Sequence, residues 1–228
     1  MKTVILIGPP GAGKGTQANL LADKYSFYHL ETSRVLEEIF NSSEGDYLEV
    51  EGKKYYFKEE KKLWEEGFLC DAPFATFLIK KKIEKIFEKG ESLVLAGSPR
   101  TLYEVEVLTS LLEKLYGKDN IKIILITLDA DKSIFRNSHR RICGLMRHPI
   151  IYNDETINLT KCPLDGSPLM KRKNLDSPEV IKVRLEEYKK MTLPLLKYFD
   201  ENGLKVNKVS GLESPDVVFN QIIKVVND

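Results

Sequence analysis

An α/β fold, with a parallel sheet held between two helical layers, is what this sequence of 228 residues predicts, on three observations. Short aliphatic runs alternate with longer segments of helical spacing, the order that builds a parallel sheet covered on both faces. The first run ends in a glycine-rich loop that opens a helix. Two stretches, 41–57 and 142–176, break the alternation and read as additions to that frame.

Val4–Ile7 is apolar on both faces, as a buried parallel strand is. Gly8–Thr16 follows as a loop, and from Thr16 to about Tyr25 the spacing is helical, with Leu20 and Leu21 inward. A second helix starts near Thr32, because Glu31-Thr32-Ser33 precedes Val35, Leu36 and Ile39. Asn41–Asp46 is rich in turn residues, and Tyr47–Phe57 reads as a small hairpin. Helical patterning returns over Glu59–Glu66 and over Pro73–Lys89, where Phe74, Phe77, Leu78, Ile83 and Ile86 share a face. Ser92–Ala96 is the next buried strand; Gly97-Ser98-Pro99-Arg100-Thr101 ends it, and a helix carrying Val105, Leu108 and Leu112 follows. Ile121–Leu128 is the third strong strand, and Asp131–His139 is helical, closed by Arg140-Arg141. The turns at Cys143–Met146 and Cys162–Gly166 mark a compact insertion. Pro178 fits the first turn of a helix running through Arg184 to Phe199, with a kink or break at Pro194. Val206–Val209 is a last short strand, and Ser214-Pro215 opens a terminal helix.

Hydrophobic residues at 42% and charged residues at 30% fit a globular chain that buries its core without a metal or disulfide. A net charge of +1 gives no bulk attraction to nucleic acid or membrane. The lysines of Lys80–Lys89 are interleaved with Glu84 and Glu88 and read as a solvated face. Three cysteines, an odd count, argue against a disulfide framework, and no run reaches 18 apolar residues. A cytoplasmic protein with reduced thiols is expected.

Gly8 to Thr16 reads G-x4-G-K and then Gly-Thr, a near match to the phosphate-binding P-loop in which Gly15 separates Lys14 from the hydroxyl residue. The chemistry suits a phosphate. Gly11, Ala12, Gly13 and Gly15 let backbone N–H groups turn inward ahead of a helix N-terminus. Lys14 reaches the transferring phosphates as a point charge, and Thr16 meets phosphate or the magnesium shell. The expected architecture is a three-layer fold of the P-loop NTPase type.

The run Gly8-Pro-Pro-Gly-Ala-Gly-Lys-Gly-Thr-Gln17 closely resembles the P-loop of adenylate kinases. Three further segments extend the resemblance in order: Gly97–Thr101, Arg136-x3-Arg140-Arg141, and Arg184-Leu-Glu-Glu-Tyr188-x3-Thr192-x-Pro194. The resemblance implies a core of 1–31 with 90–140 and 177–228, a lobe for the nucleoside monophosphate over 32–89, and an inserted lid over 141–176. It implies Mg-ATP as donor and a nucleoside monophosphate, AMP foremost, as acceptor, with the chain working as a monomer. Thr32, Arg100 and Glu104 fall at acceptor positions, and Arg136, Arg140 and Arg184 match the arginines that clamp phosphates when a lid closes. Arginine suits that work, pairing bidentately with phosphate and keeping its charge.

Departures cluster around acceptor and metal. Ala96 stands where the family carries an acidic residue that holds magnesium through water. Ser98 replaces a Phe. Thr32-Ser33-Arg34-Val35-Leu36-Glu37 places Glu37 where an arginine contacts the AMP phosphate, with Arg34 one turn back to compensate. Glu104 takes the place of a base-reading Gln. Two alternatives therefore stand beside an AMP kinase: a kinase for UMP, CMP or GMP, and a non-catalytic ATP-binding regulator. In the lid the resemblance implies a zinc site at Cys143, Cys162 and Asp165, but Met146 fills the fourth place. A thioether is a poor zinc ligand, so the pattern favours a packed remnant, with His148 as a substitute ligand. A one-residue shift brings Arg172 into the phosphate clamp.

Overall fold

The computed structural model describes residues 1–41, 45–171 and 175–227. Ser42, Ser43 and Glu44 of the predicted turn, and Arg172, lie outside the described residues. The frame is a five-stranded parallel sheet built from β1 (Thr3–Ile7), β2 (Tyr28–Glu31), β5 (Leu93–Ala96), β6 (Ile121–Thr127) and β10 (Val206–Ser210), in the order β10-β6-β1-β5-β2. Alternation along β1 explains the layers. Ile5 and Ile7 face one cluster, with Leu95, Leu108, Ile123 and Phe199; Val4 and Leu6 face the other, with Ala18, Leu21 and Ile222. The first face is covered by α4 (Ala72–Glu88), α5 (Leu102–Tyr116) and α8 (Leu195–Glu201), the second by α1 (Lys14–Tyr25) and α9 (Pro215–Asn227).

Two additions sit on this frame. The hairpin of β3 (Tyr47–Val50) and β4 (Lys53–Tyr56) packs with α2 (Thr32–Asn41), α3 (Phe57–Glu66) and α4 around its own small core of Leu36, Val50, Tyr55 and Phe74. Phe74 is fully buried, with the rings of Phe40, Tyr55 and Phe57 at 6.2–6.3 Å. The second addition is a three-stranded antiparallel sheet of β7 (Arg141–Cys143), β8 (Pro149–Ile150) and β9 (Leu169–Met170), between α6 (Ala130–Ser138) and α7 (Pro178–Glu187).

Two sequence expectations change. Strand β2 has no counterpart among them: Tyr-His-Leu-Glu is half exposed along one edge and carries no apolar run. The helix expected to run through Arg184 to Phe199 is broken earlier than Pro194. A π-helical segment over Tyr188–Thr192 separates α7 from α8, and Leu193 N bonds back to Tyr188 O. A proline ring clashes with the carbonyl four residues earlier, so the turn ahead of Pro194 widens. No helix among the described residues is long and apolar enough to cross a membrane.

Candidate active site

A cavity of about 650 Å³ opens at the carboxyl ends of β1, β2 and β5, the end where open parallel sheets bind ligands. Its floor is the loop from Pro10 to Thr16. Gly11 has φ 77° and its absent Cβ would lie 2.6 Å from Asn137 Nδ2, so only glycine fits. Gly13 has φ 93° and caps α1 with no side chain, and the first turn of α1 has no acidic residue. By contrast α5 and α7 are capped by Thr101 and Ser177, which accept from Glu104 N and Val180 N. The N–H groups at the start of α1 therefore face the cavity without a side-chain partner, the arrangement that receives an anion.

Lys14 lies across this floor and donates to Gly8 O at 2.7 Å and to Pro9 O at 2.8 Å. Burial, then the guanidinium groups of Arg100, Arg184 and Arg140, hold its amine well below the usual lysine range, opposed by Glu31. Those three arginines converge on the floor from different elements. Arg100 comes from the loop after β5, fixed on both sides: its N–H donates to Glu104 at 3.1 Å and its carbonyl accepts from Thr192 Oγ1 at 3.1 Å. Arg140, at the end of α6, donates to Asn137 Oδ1; Arg184, on α7, donates to Leu175 O at 3.1 Å. Both stand 4.0 Å from the buried carboxylate of Asp176, which sets their spacing.

Arg136 is held elsewhere on the cavity wall. Its guanidinium donates to Gly211 O at 2.7 Å and Leu212 O at 3.3 Å, in the turn after β10, and does not join the group around Lys14.

This floor is what a phosphoryl-transfer enzyme needs, and comparison with known proteins gives the lineage. The adenylate kinase family model matches residues 6–204. The chain belongs to the adenylate kinase family. It is 33% identical to an adenylate kinase of Clostridium botulinum over 98% of this chain and 97% of that one. The adenylate kinase of Methanothrix thermoacetophila is 33% identical over 98% of each chain. That of Chlamydia pneumoniae is 32% identical over 97% of this chain and 96% of its own. The family resemblance drawn from the P-loop and the arginine motifs is thus borne out, and with it the kinase class; a non-catalytic regulator is not favoured.

The residues that the resemblance gives to the acceptor divide between the cavity wall and the interior behind it. Thr32 and Glu104 are buried behind the wall rather than on it. Thr32 Oγ1 donates to Ser98 Oγ at 3.0 Å, and Glu104 receives Arg100 N, so both brace the loop that carries Arg100. Burial pushes the Glu104 carboxyl up, against the Ser98 hydroxyl and the Arg100 charge. Arg34 does reach the cavity, with its Nε 3.1 Å from Glu31. Glu37 reaches it too and is paired at 2.6 Å with Arg147 from the β7–β8 turn. The sequence gives no signal for that pair, because its members lie on different elements far apart in the chain.

In the insertion, Cys143, His148, Cys162 and Asp165 offer ligand atoms that all lie within 4.8 Å of one another. Cys143 Sγ is 2.9 Å from Asp165 Oδ2, and Cys162 Sγ is 3.2 Å from His148 Nε2. Hydrogen bonds from Cys143 and then Ser167 hold the Asp165 carboxyl well below its usual range. Met146 is 64% exposed, and the fourth member of the cluster is His148.

Proposed function

We propose that this chain transfers the γ-phosphoryl group of Mg-ATP to AMP, giving two ADP. The observation that carries the reading is the convergence of Lys14, Arg100, Arg140 and Arg184 on the N-terminus of α1 within one cavity. In this reading the N–H groups of Gly11–Thr16 and Lys14 hold the donor phosphates. Arg100 presents the acceptor phosphate, with Thr32 and Glu104 bracing its loop. Arg140 and Arg184 neutralise the moving group. An acceptor phosphate oxygen attacks the γ-phosphorus, the bond to the β–γ bridging oxygen breaks, and that oxygen leaves on ADP. Positioning and positive charge do the work, and no covalent bond to the protein forms. Thr16, on the same floor, is the hydroxyl that would meet the metal of Mg-ATP. Arg136, held by the turn at Gly211–Leu212 on the wall of the same cavity, is a further cation that the donor would meet.

The reading divides the chain into a core of 1–31, 90–140 and 177–228, an acceptor lobe of 32–89 and a lid of 141–176. Support comes from the separate small core under the hairpin and the separate sheet of β7, β8 and β9. The Glu37–Arg147 pair joins lobe to lid across the cavity. A monomer suffices, since one chain supplies the whole floor, and a reducing cytoplasm suits its three free cysteines.

The lid quartet fits zinc. Two thiols, an imidazole and a carboxylate, mutually within 4.8 Å, are a tetrahedral zinc donor set. Zinc held there has a structural role, joining the β7–β8 turn to the Cys162–Gly166 turn.

The test is transfer from Mg-ATP to a panel of nucleoside monophosphates, with products resolved by chromatography. AMP as best acceptor, with ADP formed in excess of hydrolysis, supports the reading. Preference for another monophosphate would reassign Glu37 and Glu104 to altered specificity, and hydrolysis without transfer would overturn it.

A further inference from the structure

We propose that Glu31 is the carboxylate that orders the water shell of the ATP-bound metal in this chain, doing from β2 what the end of β5 cannot do with Ala96. The assignment rests on the Mg-ATP reading above and adds to it the residue that recognises the metal.

Magnesium on a nucleotide keeps several waters and is met by one or two carboxylates besides the phosphates. Its waters are hydrogen-bond donors and need an acceptor at the cavity floor. At the end of β5 the side chain is the methyl group of Ala96, buried at the cavity wall. In the parallel pairing of β2 with β5, the register partner of Ala96 is Glu31. Register partners on adjacent strands share a face of the sheet, and neighbouring strands are about 4.8 Å apart. A carboxylate one strand over therefore approaches the same side of the floor, and the length of a glutamate makes up part of the step.

Three carboxylates line the cavity among the described residues: Glu31, Glu37 and Glu213. Glu37 pairs with Arg147 at 2.6 Å and Glu31 with Arg34 at 3.1 Å, so ion pairing does not separate them; their places in the fold do, since Glu37 lies on α2 and Glu31 closes a strand of the sheet beside Ala96. Glu213 follows Leu212, in the turn that holds Arg136. Glu31 is the carboxylate whose charge acts on Lys14. Lys14 and the metal address the same phosphates, so a carboxylate within electrostatic reach of one is close to the other. Its orientation is fixed by the first turn of α2: Ser33 Oγ donates to Oε1 at 2.9 Å, and Arg34 Nε stands 3.1 Å from Oε2. Glu31 is a positioning residue, acting through water rather than on the phosphates.

The experiment is calorimetric titration of ATP with magnesium present and with EDTA, on the unaltered chain, Glu31→Gln, and Glu31→Gln combined with Ala96→Asp. Manganese resonance spectra of the ATP complexes report the bound metal directly. The affinity gained from metal should fall about tenfold or more in Glu31→Gln, the usual scale for losing a group that orders a metal's shell, and return in the double variant. Glu31→Asp, which keeps the charge, serves if the Gln variant does not fold, and should show a smaller loss confined to the metal-bound state. Equal loss with and without metal would overturn the assignment and leave Glu31 as a partner of Lys14 and Arg34 alone. An unchanged metal effect would overturn it too. Should the unaltered chain gain nothing from metal, the Mg-ATP reading fails first and the assignment falls with it.

Discussion

The floor of the cavity and its rim handle charge in opposite ways. At the rim Glu37 and Arg147 meet at 2.6 Å, so opposite charges from two elements satisfy each other within the protein. On the floor Lys14 turns to loop carbonyls while Arg100, Arg184 and Arg140 press on its proton. A half-exposed pair like the one at the rim contributes about 0–1 kcal/mol. A floor of converging cations is different: it is pre-arranged for a polyanion, and the energy of bringing like charges together is released when phosphate arrives. The rim should break at little cost, and changes to the floor should cost function.

The largest effect is expected at Lys14. Lys14→Ala should lower turnover by roughly 10²–10³-fold, the scale for removing one group that stabilises transferring charge. Its circular dichroism should be unchanged, and its unliganded thermal midpoint equal or higher, because a cation is removed from among cations. Full turnover in this variant would take the floor out of the chemistry.

The pH dependence sharpens the same point. Phosphate binding needs the protonated amine, so kcat/KM should fall about tenfold per pH unit above the lowered Lys14 pKa, earlier than an ordinary lysine allows. Stability carries the opposite sign. Between the folded value and the unfolded one, the unfolded chain holds a proton that the folded chain has lost, so the contribution of Lys14 to unliganded stability rises with pH. Thermal midpoints of the unaltered chain against Lys14→Met across that window isolate the term.

The lid quartet resembles the floor in having ligand atoms gathered toward one point. A strong chelator should strip about one zinc per chain and lower the thermal midpoint by several degrees, at about 2–4 °C per kcal/mol for a chain of this size. Cys162→Ser should start from the stripped value. A midpoint indifferent to chelator, with no zinc found by elemental analysis, would make the quartet a hydrogen-bonded cluster. The smallest effect belongs to the rim: Glu37→Gln should change the acceptor KM by no more than about fivefold, the equivalent of a 1 kcal/mol pair. A larger change in steady-state kinetics would move Glu37 from rim to binding site.

How far these regions were legible in the sequence follows from their physics. The floor is local: strand, glycine loop and helix are contiguous from Thr3 to Tyr25, and the arginines sit in recognisable spacings. The sheet was legible wherever a strand is buried on both faces, as in β1, β5 and β6, and illegible in β2, whose edge position leaves it half exposed. The lid strands, two or three residues each, are too short to show a period. The rim was illegible altogether, since Glu37 and Arg147 meet through tertiary structure and the sequence shows two unrelated surface charges. Glu104 was expected on the acceptor and is instead under the Arg100 loop, because its four-residue spacing from Arg100 also suits a carboxylate that receives a backbone N–H. Arg136 shares its motif with Arg140, but it lies on α6 whereas Arg140 lies past the end of that helix, and the Gly211 carbonyl claims its guanidinium.

The most direct measurement of the central claim is the titration of Lys14 by nuclear magnetic resonance of its side-chain amine, with and without ATP. The amine should titrate well below the ordinary lysine value in the free protein and rise markedly when the polyphosphate binds. A Lys14 that titrates normally when free, and does not move with ATP, would contradict the floor as the site of phosphate binding.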